Sequence, residues 1–179
     1  MPLVLLIGGA RSGKSALALR LAAEQGAPVV FLATAQAGDE EMAARIARHR
    51  SERPNVWRTI EEPLHLAKTL GAVSAADCLV IDCLTLWAAN ALETLGHEAA
   101  AMEAATAVEL AAARSGLTVV VTNEVGFGIV PENQLARTYR DLLGRVNALW
   151  AGAADRVLLL VAGRALVLDP NDSPLEGLL

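Results

Sequence analysis

Aromatic residues are scarce in this 179-residue chain, at 3% of the total, so any core must be built from Ala, Val and Leu. Long apolar runs are missing too. Segments such as Leu158–Gly163 and Leu117–Val121 fall far short of the roughly 18–20 residues a membrane span needs. The apolar opening Pro2–Leu6 lacks the charged lead of a secretory signal, and Arg11 and Lys14 follow it closely. The expectation is a soluble, cytoplasmic protein. Lysine occurs only twice, as Lys14 and Lys68, against thirteen arginines, and the net charge is −5. With no lysine-rich tail or arm, the composition argues against a general nucleic-acid binder. The two cysteines, Cys78 and Cys83, stand five apart on a strand-like segment. That spacing points them to opposite faces, which excludes a mutual disulfide or a shared metal and reads both as small core residues.

What is present is a 54% hydrophobic chain with 20% charged residues, which rules out a disordered polar segment. Strand-like runs alternate with helical patterns. Strands are expected at Leu3–Ile7, Pro28–Thr34, Val56–Ile60, Cys78–Asp82, Leu117–Asn123, Arg156–Val161 and Ala165–Leu168, the last two as a hairpin turning at Gly163–Arg164. Helices are expected at Lys14–Gln25, Asp39–Arg50, Pro63–Leu70, Leu84–Leu95 and His97–Ser115, and at Pro131–Ala151 with proline in its first position. Apolar strands alternating with helices of this length predict an α/β fold with a mainly parallel sheet covered on both faces. One catalytic domain is expected over residues 1–169, followed by a loosely held tail, 170–179, rich in turn formers.

The strongest motif is Gly8-Gly9-Ala10-Arg11-Ser12-Gly13-Lys14-Ser15, between an apolar strand and a helix. It fits the phosphate-binding loop G-x4-G-K-[ST]. The glycines permit a backbone that aims successive amides at phosphate oxygens, and the helix N-terminus adds its positive dipole end. Lys14 is placed to bridge the β- and γ-phosphates, and the Ser15 hydroxyl to ligate Mg²⁺. The strand ending in Asp82 offers a carboxylate for the same cation, although strand-end aspartates also cap helices.

A second concentration of chemistry follows Asp39. Acids open this helix and bases close it, which dipole complementarity explains. The density of the bases is another matter. Arg45, Arg48 and His49 share one face, with Arg50 and Arg53 just beyond. Four guanidiniums around one imidazole repel one another unless an anion such as a triphosphate neutralises them. A neutral imidazole there is a competent nucleophile toward phosphorus. His65 and His97 read as bystanders. Finally, the segment 122–133, TNEVGFGIVPEN, lies beyond the end of a strand, where ligands of open parallel sheets bind. Asn123 and Glu124 could there orient Mg²⁺, water or a hydroxyl acceptor; a plain glycine-rich connection is the equal alternative.

Taken together, GGARSGKS at 8–15, LATAQ at 32–36, DEEMAARIARHRSERPNVWRTIEEP at 39–63, DCLTLW at 82–87, TNEVGFGIVPEN at 122–133 and LARTYRDLLGRVN at 135–147 resemble one family. It comprises the bifunctional adenosylcobinamide kinases/adenosylcobinamide-phosphate guanylyltransferases of cobalamin biosynthesis. The resemblance implies a RecA-like P-loop NTPase fold in three layers and a homotrimer. It implies a kinase step on the aminopropanol hydroxyl of adenosylcobinamide with ATP or GTP. It also implies transfer of GMP from GTP through a covalent histidine intermediate, with His49 as the matching residue and Lys14 assisting. Nucleotide contacts are implied for Gly8 to Ser15, for Ala33, Thr34 and Ala35, for Arg50, Ser51, Glu52 and Arg53, and for Glu61 and Asp82. Mg²⁺ falls to Ser15 and Asp82. Arg48 stands where some members carry a second histidine, and Asp82 where some carry Glu. Trp87 or Trp150 could supply apolar surface to the corrin. Two other readings compete: a P-loop kinase of another small molecule with a structural His49, and a non-catalytic NTP-dependent regulatory module.

Overall fold

The computed structural model describes residues 3–168. Its elements are β1 (Leu3–Gly8), α1 (Lys14–Ala23), β2 (Val29–Ala33), α2 (Glu40–Ser51), β3 (Arg58–Glu61), α3 (Leu66–Ala72) and β4 (Cys78–Asp82). They continue with α4 (Leu84–Leu95), α5 (His97–Ala112), β5 (Thr118–Val121), α6 (Gln134–Ala153), β6 (Arg156–Val161) and β7 (Arg164–Leu168). The seven strands form one sheet in the order β3-β2-β4-β5-β1-β6-β7. Every pairing is parallel except that of β6 with β7. The expected tail at 170–179 lies outside the described residues.

Alternation along the central strands feeds two cores, which is why these strands read as continuous apolar runs. Leu3, Leu5, Leu79, Ile81 and Val120 face α3, α4, α5 and α6, with Trp87 and Trp150 among the helical residues packed there. Val4, Leu6, Phe31, Val80 and Val119 face the other way, against Ala18 and Ala22 of α1. Small residues make close packing possible in the first core: Ala100, Ala104, Ala107 and Ala111 of α5 are all fully buried. The helix α2 differs from the rest in burying no residue at all.

Several boundaries depart from expectation for local reasons. The last long helix starts at Gln134 rather than Pro131. Asn133 caps it, its Oδ1 accepting the N–H groups of Leu135 at 2.7 Å and Ala136 at 3.3 Å, so the donors of the first turn are satisfied there. The β6–β7 turn is centred on Ala162 and Gly163, whose positive φ values of 50° and 75° suit a tight hairpin, not on Gly163–Arg164. The strand β5 ends at Val121, two residues early, because Thr122 and Asn123 are taken up by side-chain contacts. β4 spans Cys78–Asp82 as expected, so the strand alternation argued for the two cysteines does not reach Cys83, which initiates α4.

The phosphate loop is braced from behind. Gly8 pairs with Leu160 of β6. At the hairpin tip, the Gly163 N–H donates to the Ser12 carbonyl at 3.0 Å.

Candidate nucleotide site

Because β1, β2, β4 and β5 are parallel neighbours, their carboxyl ends come together on one edge. A cavity of about 550 Å³ opens there. The loop from Ala10 to Ser15 forms its floor, Ala33, Ala35 and Glu61 one wall, and Asp82, Cys83, Val121 and Asn123 the end of the sheet. The helix α2 covers it with Glu41, Met42, Arg45, Arg48 and His49, and Glu52 and Arg53 follow.

Lys14 begins α1 and is buried. Its ammonium donates to the carbonyls of Gly8 at 3.0 Å and Gly9 at 2.6 Å and to the Ser12 hydroxyl at 3.3 Å. Burial lowers its pKa, while Cys83 and Asp82 nearby pull it up and Arg45 adds to the lowering. Asp82 is shifted upward by desolvation. The Ser15 hydroxyl and the positive field of His49, Arg53 and Lys14 oppose that shift, in that order. One carboxylate thus faces the loop hydroxyl, the loop lysine and the helix imidazole. Ser15 and Asp82 together offer hard oxygen donors of the kind that would suit Mg²⁺. No cluster of three or more His, Cys, Asp or Glu side chains able to hold a metal occurs among the described residues.

The arginines divide the work. Arg50 leaves the cavity and pairs with Glu61 of β3 at 2.8 Å, both groups exposed. Arg53 lies over the Phe31 ring at 3.5 Å, where desolvation lowers its pKa. Arg45 and Arg48 face inward without such partners among the described residues. Of the four, only Arg50 is paired with a carboxylate; Arg45, Arg48 and Arg53 keep their charge toward the cavity.

Most residues singled out from the sequence line this cavity: Ala10 through Ser15, Ala33, Ala35, His49, Glu52, Arg53, Glu61 and Asp82. Gly8, Gly9, Thr34, Arg50 and Ser51 do not. Thr34 is fully buried, and its hydroxyl accepts the Cys83 N–H at 2.9 Å and donates to the Cys83 carbonyl at 2.7 Å, tying β2 to the start of α4. Ser51 turns back to the Arg48 carbonyl. Trp87 and Trp150 are fully buried in the core, which corrects the expectation that either shows surface to a corrin. Cys83 lines the cavity instead of being a plain core residue, and burial pushes its thiol up to about 11. Glu41 and Met42 were missed, although their helical spacing from Arg45 and Arg48 sets them on the same face. Leu86 and Val121 carried no signal beyond being apolar.

Comparison with known proteins identifies the family and the fold. Residues 4–168 match the family described as cobinamide kinase / cobinamide phosphate guanyltransferase. The bifunctional adenosylcobalamin biosynthesis protein CobP of Pseudomonas aeruginosa is 47% identical over 92% of this chain and 95% of its own length. The corresponding CobU protein of Salmonella typhimurium is 46% identical over 90% of this chain and 96% of its own. Among solved structures, an ATPase of the type III secretion system of pathogenic bacteria superposes with a TM-score of 0.57 at 13% identity. That superposition covers 89% of this chain and 51% of the ATPase, and it concerns the fold, a P-loop NTPase-like α/β architecture. With the family match running from β1 to β7 and relatives near half identity across nine-tenths of its length, the chain belongs to the cobinamide kinase / cobinamide phosphate guanyltransferase family of enzymes.

Proposed function

We propose that this enzyme phosphorylates the aminopropanol hydroxyl of adenosylcobinamide with ATP or GTP, and then transfers GMP from GTP to the resulting phosphate. The observation that carries this reading is that His49 and the phosphate loop line one cavity around Asp82. In the kinase step the hydroxyl oxygen attacks the γ-phosphorus, the bond to the β-phosphate oxygen breaks, and the hydroxyl proton leaves to solvent. Lys14 and the loop amides hold the phosphates in line. In the second step an imidazole nitrogen of His49 attacks the α-phosphorus of GTP and pyrophosphate leaves. The phosphate of adenosylcobinamide phosphate then attacks the same phosphorus, the P–N bond breaks, and adenosylcobinamide-GDP is formed. Arg45 and Arg48 stabilise the charge that develops on the oxygens. Ser15 and Asp82 would hold Mg²⁺, which when bound neutralises phosphate charge.

Phe127 and Ile129, 87% and 96% exposed on the loop that follows Asn123, offer the acceptor the apolar surface that the two tryptophans do not. The chain acts as one catalytic domain, in the cytoplasm; no helix among the described residues is long and apolar enough to cross a membrane. It assembles as a homotrimer. Support for assembly is the wholly exposed edge strand β7, where Leu166, Val167 and Leu168 join Val161 in an uncovered apolar ribbon.

The test is intact-protein mass after incubation with GTP and Mg²⁺, beside His49→Ala. One acid-labile GMP on the wild type and none on the variant is the expected result. A folded protein that binds GTP without forming the adduct would reduce His49 to a phosphate contact and leave a plain kinase.

A further inference from the structure

We propose that Asn123 contacts the transferring γ-phosphoryl group, its carboxamide donating to a phosphoryl oxygen, and that Thr85 and Asn147 are positioning residues acting through it. This inference rests on the kinase half of the proposed function. It begins from topology. The strand β5 stands between β1, which delivers the phosphate loop, and β4, which delivers Asp82. A residue at its carboxyl end therefore sits beside the place where Lys14 and Asp82 converge, and Asn123 lines the cavity there.

The backbone of Asn123 is gripped on both sides. Its N–H donates to Thr85 Oγ1 at 2.7 Å, and its carbonyl accepts from Asn147 Nδ2 at 3.0 Å. Asn147 Oδ1 in turn accepts the Thr122 hydroxyl at 2.7 Å, while the Thr122 N–H remains bonded to the Leu6 carbonyl of β1 at 2.9 Å. The Tyr139 hydroxyl donates to the Thr85 carbonyl at 3.1 Å, so α4 and α6 both take part. Thr85, Thr122 and Asn147 are all buried. The carboxamide of Asn123 itself has no partner among the described residues.

Burying three polar side chains is costly unless each is paired, and apolar residues of similar shape would fill the same space. Here the pairing converges on a single backbone unit whose side chain alone is left to meet a ligand. That arrangement is what a preorganised donor requires: the geometry is set before charge develops, so no reorganisation accompanies the reaction. A neutral amide also suits this position. It donates to a phosphoryl oxygen without competing with Asp82 for a cation.

The experiment compares binding of GDP alone with binding of GDP plus aluminium fluoride and Mg²⁺, the fluoride acting as a planar stand-in for the phosphoryl group. Asn123→Ala is expected to bind GDP within about threefold of wild type and the fluoride complex about 10²-fold more weakly, with a kinase kcat lower by a similar factor. Thr85→Val should lower kcat while leaving nucleotide KM unchanged, and Thr85→Ser, which keeps the acceptor, should restore it. Equal affinity of wild type and Asn123→Ala for the fluoride complex overturns the contact. A Thr85→Ser no better than Thr85→Val overturns the positioning role, as does a variant that loses Tm but keeps kcat. A protein that forms the fluoride complex yet phosphorylates no cobinamide refutes the kinase assignment, and the fluoride comparison still decides the role of Asn123.

Discussion

Replacing Gly8 by alanine tests whether the phosphate loop depends on its support from β6. Gly8 closes β1 with φ +152°, and a Cβ there would lie 2.3 Å from the Leu160 carbonyl oxygen and 3.2 Å from that residue's C and N. These are backbone atoms of a paired strand, so they cannot swing aside as a side-chain tip would. Since real Cβ contacts do not fall below 3.0 Å, β1 and β6 must separate locally by about 0.7 Å. Overpacking of this kind together with an unfavourable backbone region costs about 2–4 kcal/mol. For a domain of this size that lowers Tm by roughly 5–15 °C. The adjacent Gly9→Ala is the control, because a Cβ there meets nothing within 4 Å. Its Tm should stay within about 2 °C of wild type. Thermal denaturation reads both, and GTP titration should show Gly8→Ala weakened at least tenfold, since the displaced strand carries the loop with it. If Gly8→Ala melts with Gly9→Ala and binds GTP normally, the pairing with Leu160 gives way cheaply and the reasoning is wrong.

Four further outcomes follow from the same structure. Burial pushes Cys78 and Cys83 to about 11 from 9.0, so the thiolate fraction at pH 8 drops about a hundredfold; Ellman's reagent should label the native protein slowly, with GTP slowing Cys83 further, and fast labelling at pH 8 would contradict this. Because both folded values lie above 9.0, the stability they contribute is complete below about pH 9 and is lost as pH rises toward 11, which denaturant titration against pH can follow. The helix α2 buries nothing, so trypsin should cut first at Arg45, Arg48 or Arg50 and GTP should delay it; first cuts within α6 would refute that view. Phe127→Ser combined with Ile129→Ser should raise KM for the corrinoid about 10–10²-fold with nucleotide KM and Tm unchanged, whereas equal loss for both substrates, or dissociation of the oligomer, would assign the loop elsewhere.

The reading of α2 shows how far charge pattern alone can go. Its sequence, EEMAARIARHRS, places its few large apolar residues, Met42 and Ile46, beside arginines, and for that reason it leaves even these only half-buried. What the pattern could not reveal is the division among the arginines. Arg50 finds Glu61 on a strand and Arg53 finds the Phe31 ring, and both partners come from elements brought alongside only by the sheet order. The net charge facing the cavity is thus a tertiary property, smaller than a count of basic residues along the helix suggests.

Legibility follows the distance over which each interaction is made. The eight residues of the phosphate loop carry their geometry within themselves, and apolar strands with interspersed helices define the sheet class before any packing is known. Helix and strand ends shift by one to three residues from the sequence pattern where side chains take over from the backbone, as Asn133 does at α6 and as Thr85 and Asn147 do beyond β5. Burial was least readable of all. Trp87 and Trp150 are apolar residues on helices, and only the placement of those helices over the sheet decides that both face inward. Asn123 is the same problem in polar form: its partners Thr85 and Asn147 lie 38 and 24 residues away, so the start of a segment that reads as a glycine-rich connection becomes, once folded, an edge of the cavity held by α4 and α6.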